Sequence, residues 1–148
     1  MGILDRKTYK QVEWYLYNYY KIKREVKISK EDIIEGGGRD LAEWGGGVSY
    51  RSDPTASKAV RLCKEEIVNY ERWLKVIEHV MAKHEGSGHG GLLQKKYFDE
   101  LGEVQICMDL HIERSTYYRW REEIVIYTAM IAIQEGLIEI NAICPLIS

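Results

Sequence analysis

The sequence predicts an all-α fold: a helical domain with a C-terminal helix-turn-helix, preceded by a basic N-terminal helix and a Gly-rich loop. Two observations carry that expectation. Apolar residues recur at three- and four-residue spacing in long stretches near residues 5–29, 55–83 and 114–134. The alternation and turn signals of a strong strand pair are absent.

Taken in order, residues 5–29 predict one helix almost free of breakers, with Val12, Tyr15 or Leu16, Tyr19, Ile22 and Val26 on its apolar face. Lysines and arginines lie among them: residues 1–30 hold eight basic against three acidic side chains, a balance of +5. Residues 1–34 therefore read as a basic, Tyr-rich N-terminal helix. The stretch "EGGGRDLAEWGGGVSYRSDPT" carries two triple-glycine runs and a proline, so residues 35–55 read as a flexible linker.

Residues 56–148 read as one helical domain. Thr55 or Ser57 can cap its first helix, because Pro54 restricts Asp53. Ala59, Leu62, Ile67, Tyr70, Leu74, Ile77 and Val80 or Met81 supply that helix with a long apolar face, and "HEGSGHGG" ends it. Shorter helical patterns follow at 92–101 and 104–110, then a longer one at 114–134 with Gly136 as its stop. The remaining "LIEINAICPLIS" is apolar enough to predict packing rather than a free tail.

Composition excludes several classes. At 45% hydrophobic residues, the 148-residue chain can bury a core. Its three cysteines, Cys63, Cys107 and Cys144, form no CxxC pair and are odd in number. That argues against a disulfide framework or zinc ribbon and for a reducing cytoplasm. The start, "MGILDRKTYK", lacks the basic-then-apolar pattern of a signal peptide. The run "IVIYTAMIAI" at 124–133 is about half a membrane span, which predicts a buried helix and no membrane partner.

No catalytic residue, metal site or cofactor is predicted. His79, His84 and His89 are spaced by five and do not share one helical face. The glycine runs lack the GK[ST] of a phosphate loop. Glu65 and Glu66, near Arg61, Lys64 and Arg72, read as a charge-paired face. Cys63 and Cys107 read as packing residues on apolar faces.

The stretch "EVQICMDLHIERSTYYRWREEI" at 103–124 fits helix-turn-helix spacing. Ile106 and Leu110 face inward, with Cys107 as the small contact residue between them. His111 takes the turn position usually held by glycine, and histidine is among the residues enriched in left-handed backbone. Ile112 plugs the turn, and Tyr117, Trp120 and Ile124 anchor the second helix. Glu113, Arg114, Ser115, Thr116, Tyr118, Arg119 and Arg121 are left outward or near the helix start. Arginine forks suit guanine edges or phosphates. Ser115 and Thr116 at a helix N-terminus suit phosphate, and Tyr118 suits the sugar–phosphate backbone or a thymine methyl. Local charge pulls the other way, since residues 92–124 hold five basic against seven acidic groups and duplex affinity rests largely on phosphate neutralisation. Two readings stay open on the residues alone: a DNA-reading motif, or an amphipathic helix with an aromatic stripe and solvated arginines.

The order of segments adds to this. A Tyr-rich basic helix, a Gly-rich break, "DPTASKAVRL", a long helix carrying "ERW" and then "KYFDELG…ICMDLHIERSTYYRWREEI" together resemble the RinA/ArpU family of phage late-gene transcriptional regulators, from about residue 6 to residue 137. The matching residues are Asp53, Pro54, Thr55 and Ala56, then Tyr97, Ile106, Leu110, Ile112, Ser115, Thr116, Tyr118, Arg119 and Trp120. The resemblance implies a cytoplasmic activator, encoded by a phage or prophage, that binds double-stranded promoter DNA of packaging and structural genes. Its motif would be similar to region 4 of sigma factors, with host RNA polymerase as a partner. His111 departs from the usual turn glycine, and the last dozen residues have no counterpart.

On that reading Lys7, Lys10, Lys21, Lys23, Arg24 and Lys27 supply supporting phosphate contacts. Their helix could equally meet a partner helix through its Tyr/Trp face or pack on its own domain. The apolar segment 124–133 has two destinations, a homodimer interface or burial within the monomer. Two other classes remain: a small-terminase-like packaging protein, and a protein–protein adaptor with a vestigial motif.

Overall fold

Asp5 starts the first helix. Its backbone is extended (φ −73°, ψ 161°), and its carboxylate accepts the Thr8 N–H at 2.7 Å, satisfying a donor that a helix start leaves open. The computed structural model describes residues 4–38 and 62–139, and among these every regular element is helical, with no strand. Helix α1 (Arg6–Tyr17) buries Thr8, Val12 and Leu16 at four-residue spacing along one face.

The single helix expected over residues 5–29 divides at Asn18. The Asn18 side chain donates to the Trp14 carbonyl at 2.8 Å, the local competition with the backbone ladder that makes asparagine a poor interior helix residue. Helix α2 (Tyr19–Gly38) begins beyond it and runs through glycines 36–38, into the segment expected to be linker. Extending an existing helix adds a hydrogen bond per residue without a new nucleus, and this offsets the roughly 1 kcal/mol cost of each glycine. The rest of the expected linker, the "DPTA" motif and the expected Thr55 or Ser57 cap lie outside the described residues.

Helix α3 (Lys64–His84) has a different start from the one the apolar pattern suggested. Cys63 is exposed, not packed on an apolar face, and forms a reciprocal cap. The Glu66 N–H donates to Cys63 Sγ at 3.4 Å, while the Cys63 N–H donates to Glu66 Oε1 at 3.0 Å. Glu66 thus acts in a capping box.

The chain forms two units. In Lys21–Glu71, Ile22, Val26 and Ile67 are buried among the described residues. The buried Ser29 hydroxyl accepts the Leu62 N–H at 3.1 Å there, and Lys30 pairs with Glu71. The other unit joins Met1–Tyr20 to Arg72–Ser148, so α1 belongs with the C-terminal helices. The reason is apolar complementarity: Val12 and Leu16 share a core with Trp73, Ile77, Val80, Leu92, Tyr97, Ile106 and Ile124. Tyr15 stacks on Trp73, with centroids 4.0 Å apart and planes 6° apart.

In this larger unit α3 ends at His84, as "HEGSGHGG" suggested, but the chain re-enters helix at once. The Ser87 hydroxyl accepts the Gly90 N–H at 3.2 Å and caps α4 (Gly88–Leu92), which continues into a π-helical stretch, Leu93–Phe98. Helices α5 (Glu103–Leu110) and α6 (Arg114–Gln134) follow. Helix α6 stops at Gly136 as expected: with φ +78° there, the Leu137 N–H reaches the Ala132 carbonyl at 2.8 Å in a Schellman closure. The segment 124–133 buries Ile124, Val125, Thr128, Ala129 and Ala132, while Met130 stays exposed. No helix among the described residues is long and apolar enough to cross a membrane.

Candidate nucleic-acid interface

The candidate site is built around one turn. His111 closes α5 in the left-handed region (φ 57°, ψ 49°), and the Ile112 N–H bonds back to the Cys107 carbonyl at 3.0 Å. This is the geometry expected for residue 111, achieved without glycine. Glu113 then returns to extended backbone (φ −88°, ψ 165°) and begins α6, its carbonyl accepting the Tyr117 N–H at 3.0 Å.

The inward anchors hold the two helices in place. Ile106 and Ile124 are fully buried and Tyr117 nearly so, while Leu110, Ile112 and Trp120 are half-buried. Trp120 lies against α4, where a Cβ at Gly88 would come within 2.4 Å of the indole, and the His89 ring stacks on it at 4.8 Å. A Cβ at Gly90 would come within 2.2 Å of the His84 carbonyl oxygen, so α4 can start this close to the end of α3 only with glycine there. The "GHGG" stretch is therefore a packing element for the motif, a role its composition had hidden. His89 Nε2 also lies 2.7 Å from Glu123 Oε1.

The outward set divides. Arg114, Ser115, Tyr118 and Arg119 are exposed and Thr116 is half-buried, all within the first two turns of α6. Glu113 contributes no side-chain cap to that helix start, leaving its N–H groups and the Ser115 and Thr116 hydroxyls available to an anion. Arg119 makes no ion pair or hydrogen bond with another described residue. Arg114 and Tyr118 share an acceptor that the sequence reading did not assign. Arg114 Nε donates to one oxygen of Glu103, the Tyr118 hydroxyl donates to the other at 2.6 Å, and the Arg114 guanidinium lies 5.9 Å from the Tyr118 ring centroid. The Tyr118 hydrogen bond, followed by the Arg114 contact, holds the Glu103 carboxyl below its ordinary pKa.

Arg121 departs from the expected outward set. Its Nε donates to Glu13 Oε2 at 2.9 Å and its Nη2 to Glu13 Oε1 at 3.0 Å, and its guanidinium sits 5.5 Å from the Tyr9 ring centroid. Glu13 also accepts from the Tyr97 hydroxyl. Burial pushes the Glu13 carboxyl up, but the Arg121 and Tyr97 hydrogen bonds outweigh it and the net shift is downward. The same burial raises the Tyr9 phenol to about 12. Arg121 is thus committed to fastening α6 to α1, because its Nε/Nη2 edge is held in a bidentate, half-buried pair.

Lys96 has a comparable internal role. It donates to the Tyr17 hydroxyl at 2.8 Å and lies over the Tyr17, Tyr97 and Tyr117 rings.

The expected phosphate contacts are split between the units. Lys7 and Lys10 are exposed on α1, in the unit that carries the motif, whereas Lys21, Lys23, Arg24 and Lys27 are exposed on α2 in the other. Among the described residues, no group of three or more His, Cys, Asp or Glu is placed to hold a metal ion.

Fold and site together define a protein whose described elements are all helical, with α5 and α6 forming a helix-turn-helix that has an exposed polar start to the second helix. The chain belongs to a family described as a protein of unknown function, DUF1492, whose model matches residues 55–137. That span takes in α3 to α6 and leaves α1 and α2 outside. No curated protein and no solved structure matched the chain.

Proposed function

We infer that this protein is a non-enzymatic, sequence-specific DNA-binding transcriptional regulator. The observation that carries the reading is the first two turns of α6. There a left-handed residue 111 and a buried Tyr117 present Arg114, Ser115, Thr116, Tyr118 and Arg119 to solvent beside an open helix N-terminus. In this reading α6 enters the major groove, Arg119 and Arg114 contact base edges, and Ser115 and Thr116 bind phosphate. Lys7 and Lys10 add phosphate contacts from α1, and the α2 cations add further positive charge. Arg121 is not part of this surface.

The resemblance to RinA/ArpU regulators extends the proposal to a phage or prophage activator of late genes that works with host RNA polymerase in the bacterial cytoplasm.

Binding to DNA fragments flanking the protein's own gene, at two salt concentrations and against scrambled competitor, tests it. Selective binding that survives the higher salt is expected. Uniform binding that vanishes with salt would reduce the surface to non-specific phosphate attraction. No binding even at low salt would favour an adaptor role.

A further inference from the structure

The Glu103 carboxylate, on α5, lies against the exposed start of α6 and occupies two of the groups that would touch a base or phosphate, Arg114 and Tyr118. A carboxylate facing a polyanion is unfavourable unless it does something else there. Its geometry indicates what. Glu103 is the first residue of α5, where the positive end of the helix dipole favours the ionised form. Arg114 and Tyr118 lie one turn apart on α6, so their head groups reach the same carboxylate from one face of that helix. Arg114 uses Nε for this contact, while its side chain keeps 75% of its surface exposed. The terminal nitrogens therefore keep the paired donors that a guanine edge accepts.

We propose that Glu103 is a specificity-determining positioning residue: it holds Arg114 and Tyr118 in their reading orientation and penalises DNA that does not engage them. The proposal rests on the DNA-binding reading above. A long arginine on an exposed helix start would otherwise sample many rotamers and grip any phosphate within reach. Anchored through Nε, it offers its fork in one direction. The fixed negative charge also repels a backbone brought close without the compensating base contact, so discrimination rises while overall affinity falls. Beside it, Glu103, Val104, Cys107, Met108 and Arg114 line a shallow open pocket. Val104 and Met108 present 72% and 65% of their surface there, an apolar flank next to the fork suited to a thymine methyl.

The test is selection from a randomised duplex library by the wild-type protein, Glu103→Ala, Glu103→Gln, Arg114→Ala and the Glu103→Ala/Arg114→Ala pair. Affinity for unselected duplex is measured in parallel. Glu103→Ala is expected to bind unselected duplex more tightly, and to lose about three- to tenfold of its preference at the position Arg114 reads, a fraction of what a good bidentate pair confers. Glu103→Gln, which still accepts hydrogen bonds but lacks the charge, should recover part of that preference. In the Arg114→Ala background the Glu103→Ala change should cost no further preference, a non-additivity that a general folding defect does not produce. If the wild type is selective and Glu103→Ala selects as strictly, the positioning role is wrong and the DNA-binding reading survives. An equal further loss in the Arg114→Ala background would also overturn it. If the wild-type protein selects nothing and binds no duplex, the DNA-binding reading fails and this role fails with it.

Discussion

Arg121 grips Glu13 with one edge of its guanidinium, Nε to Oε2 at 2.9 Å and Nη2 to Oε1 at 3.0 Å, and so ties α6 to α1. Glu13 is also the acceptor for Tyr97, so three elements meet on one carboxylate. The pair is half-buried, which makes breaking one side worse than removing both.

Arg121→Ala should therefore destabilise the protein by about 1–3 kcal/mol, since it leaves the Glu13 charge partly desolvated. The Glu13→Gln/Arg121→Ala double variant should recover part of the loss. Urea unfolding of the two singles and the double measures this, and a strictly additive result would deny the coupling.

The same carboxylate predicts a pH dependence. Glu13 has a folded pKa below its ordinary 4.5, so its contribution is fully present above that value. It is lost as pH falls through the folded value. Glu13→Gln should flatten the acid limb of a stability–pH curve. At the alkaline end the Tyr9 phenol is raised from 10.0 to about 12, so its contribution is complete below pH 10 and is lost as pH rises toward 12. Tyr9→Phe should flatten that limb.

His111 holds a left-handed conformation that costs a side-chain-bearing residue on the order of 1–2 kcal/mol. His111→Gly relieves this and loses some of the gain to unfolded-state entropy, so a net stabilisation of up to about 1 kcal/mol is expected. His111→Val should destabilise. Thermal melts of the two variants should move in opposite directions.

Gly90→Ala would place a methyl 2.2 Å from a backbone oxygen that cannot rotate away. A loss of about 1–3 kcal/mol, the usual range for overpacking, is expected in chemical denaturation. An unchanged midpoint would mean that α4 can shift freely against the end of α3.

On DNA, Arg119→Ala should flatten preference among sites, whereas Lys10→Ala should weaken all sites alike and reduce the salt slope by about one. Equal loss of preference in both would remove that division of labour.

Much of this was legible in the sequence where the signal is local. The span of α6, the left-handed turn at residue 111, the stop at Gly136 and the inward placing of Ile106, Tyr117 and Ile124 all follow from spacing within one or two turns. Part of what was missed depends on partners far along the chain. Glu13 and Arg121 lie more than a hundred residues apart, and nothing near either announces the other. The break at Asn18 left the apolar period undisturbed, so a helical pattern could not reveal it. The "GHGG" stretch reads as a loop until Trp120 and the His84 carbonyl are placed beside it. Cys63 looks like a packing residue until Glu66 folds back on it.

The claim that the start of α6 is the reading surface is tested most directly by backbone amide chemical shifts, recorded while the protein is titrated with a duplex it selects. Perturbations concentrated at residues 111–119 are expected, with weaker ones around Lys7 and Lys10 and little change near Arg121. Shifts that leave residues 111–119 untouched and gather on another face would contradict it.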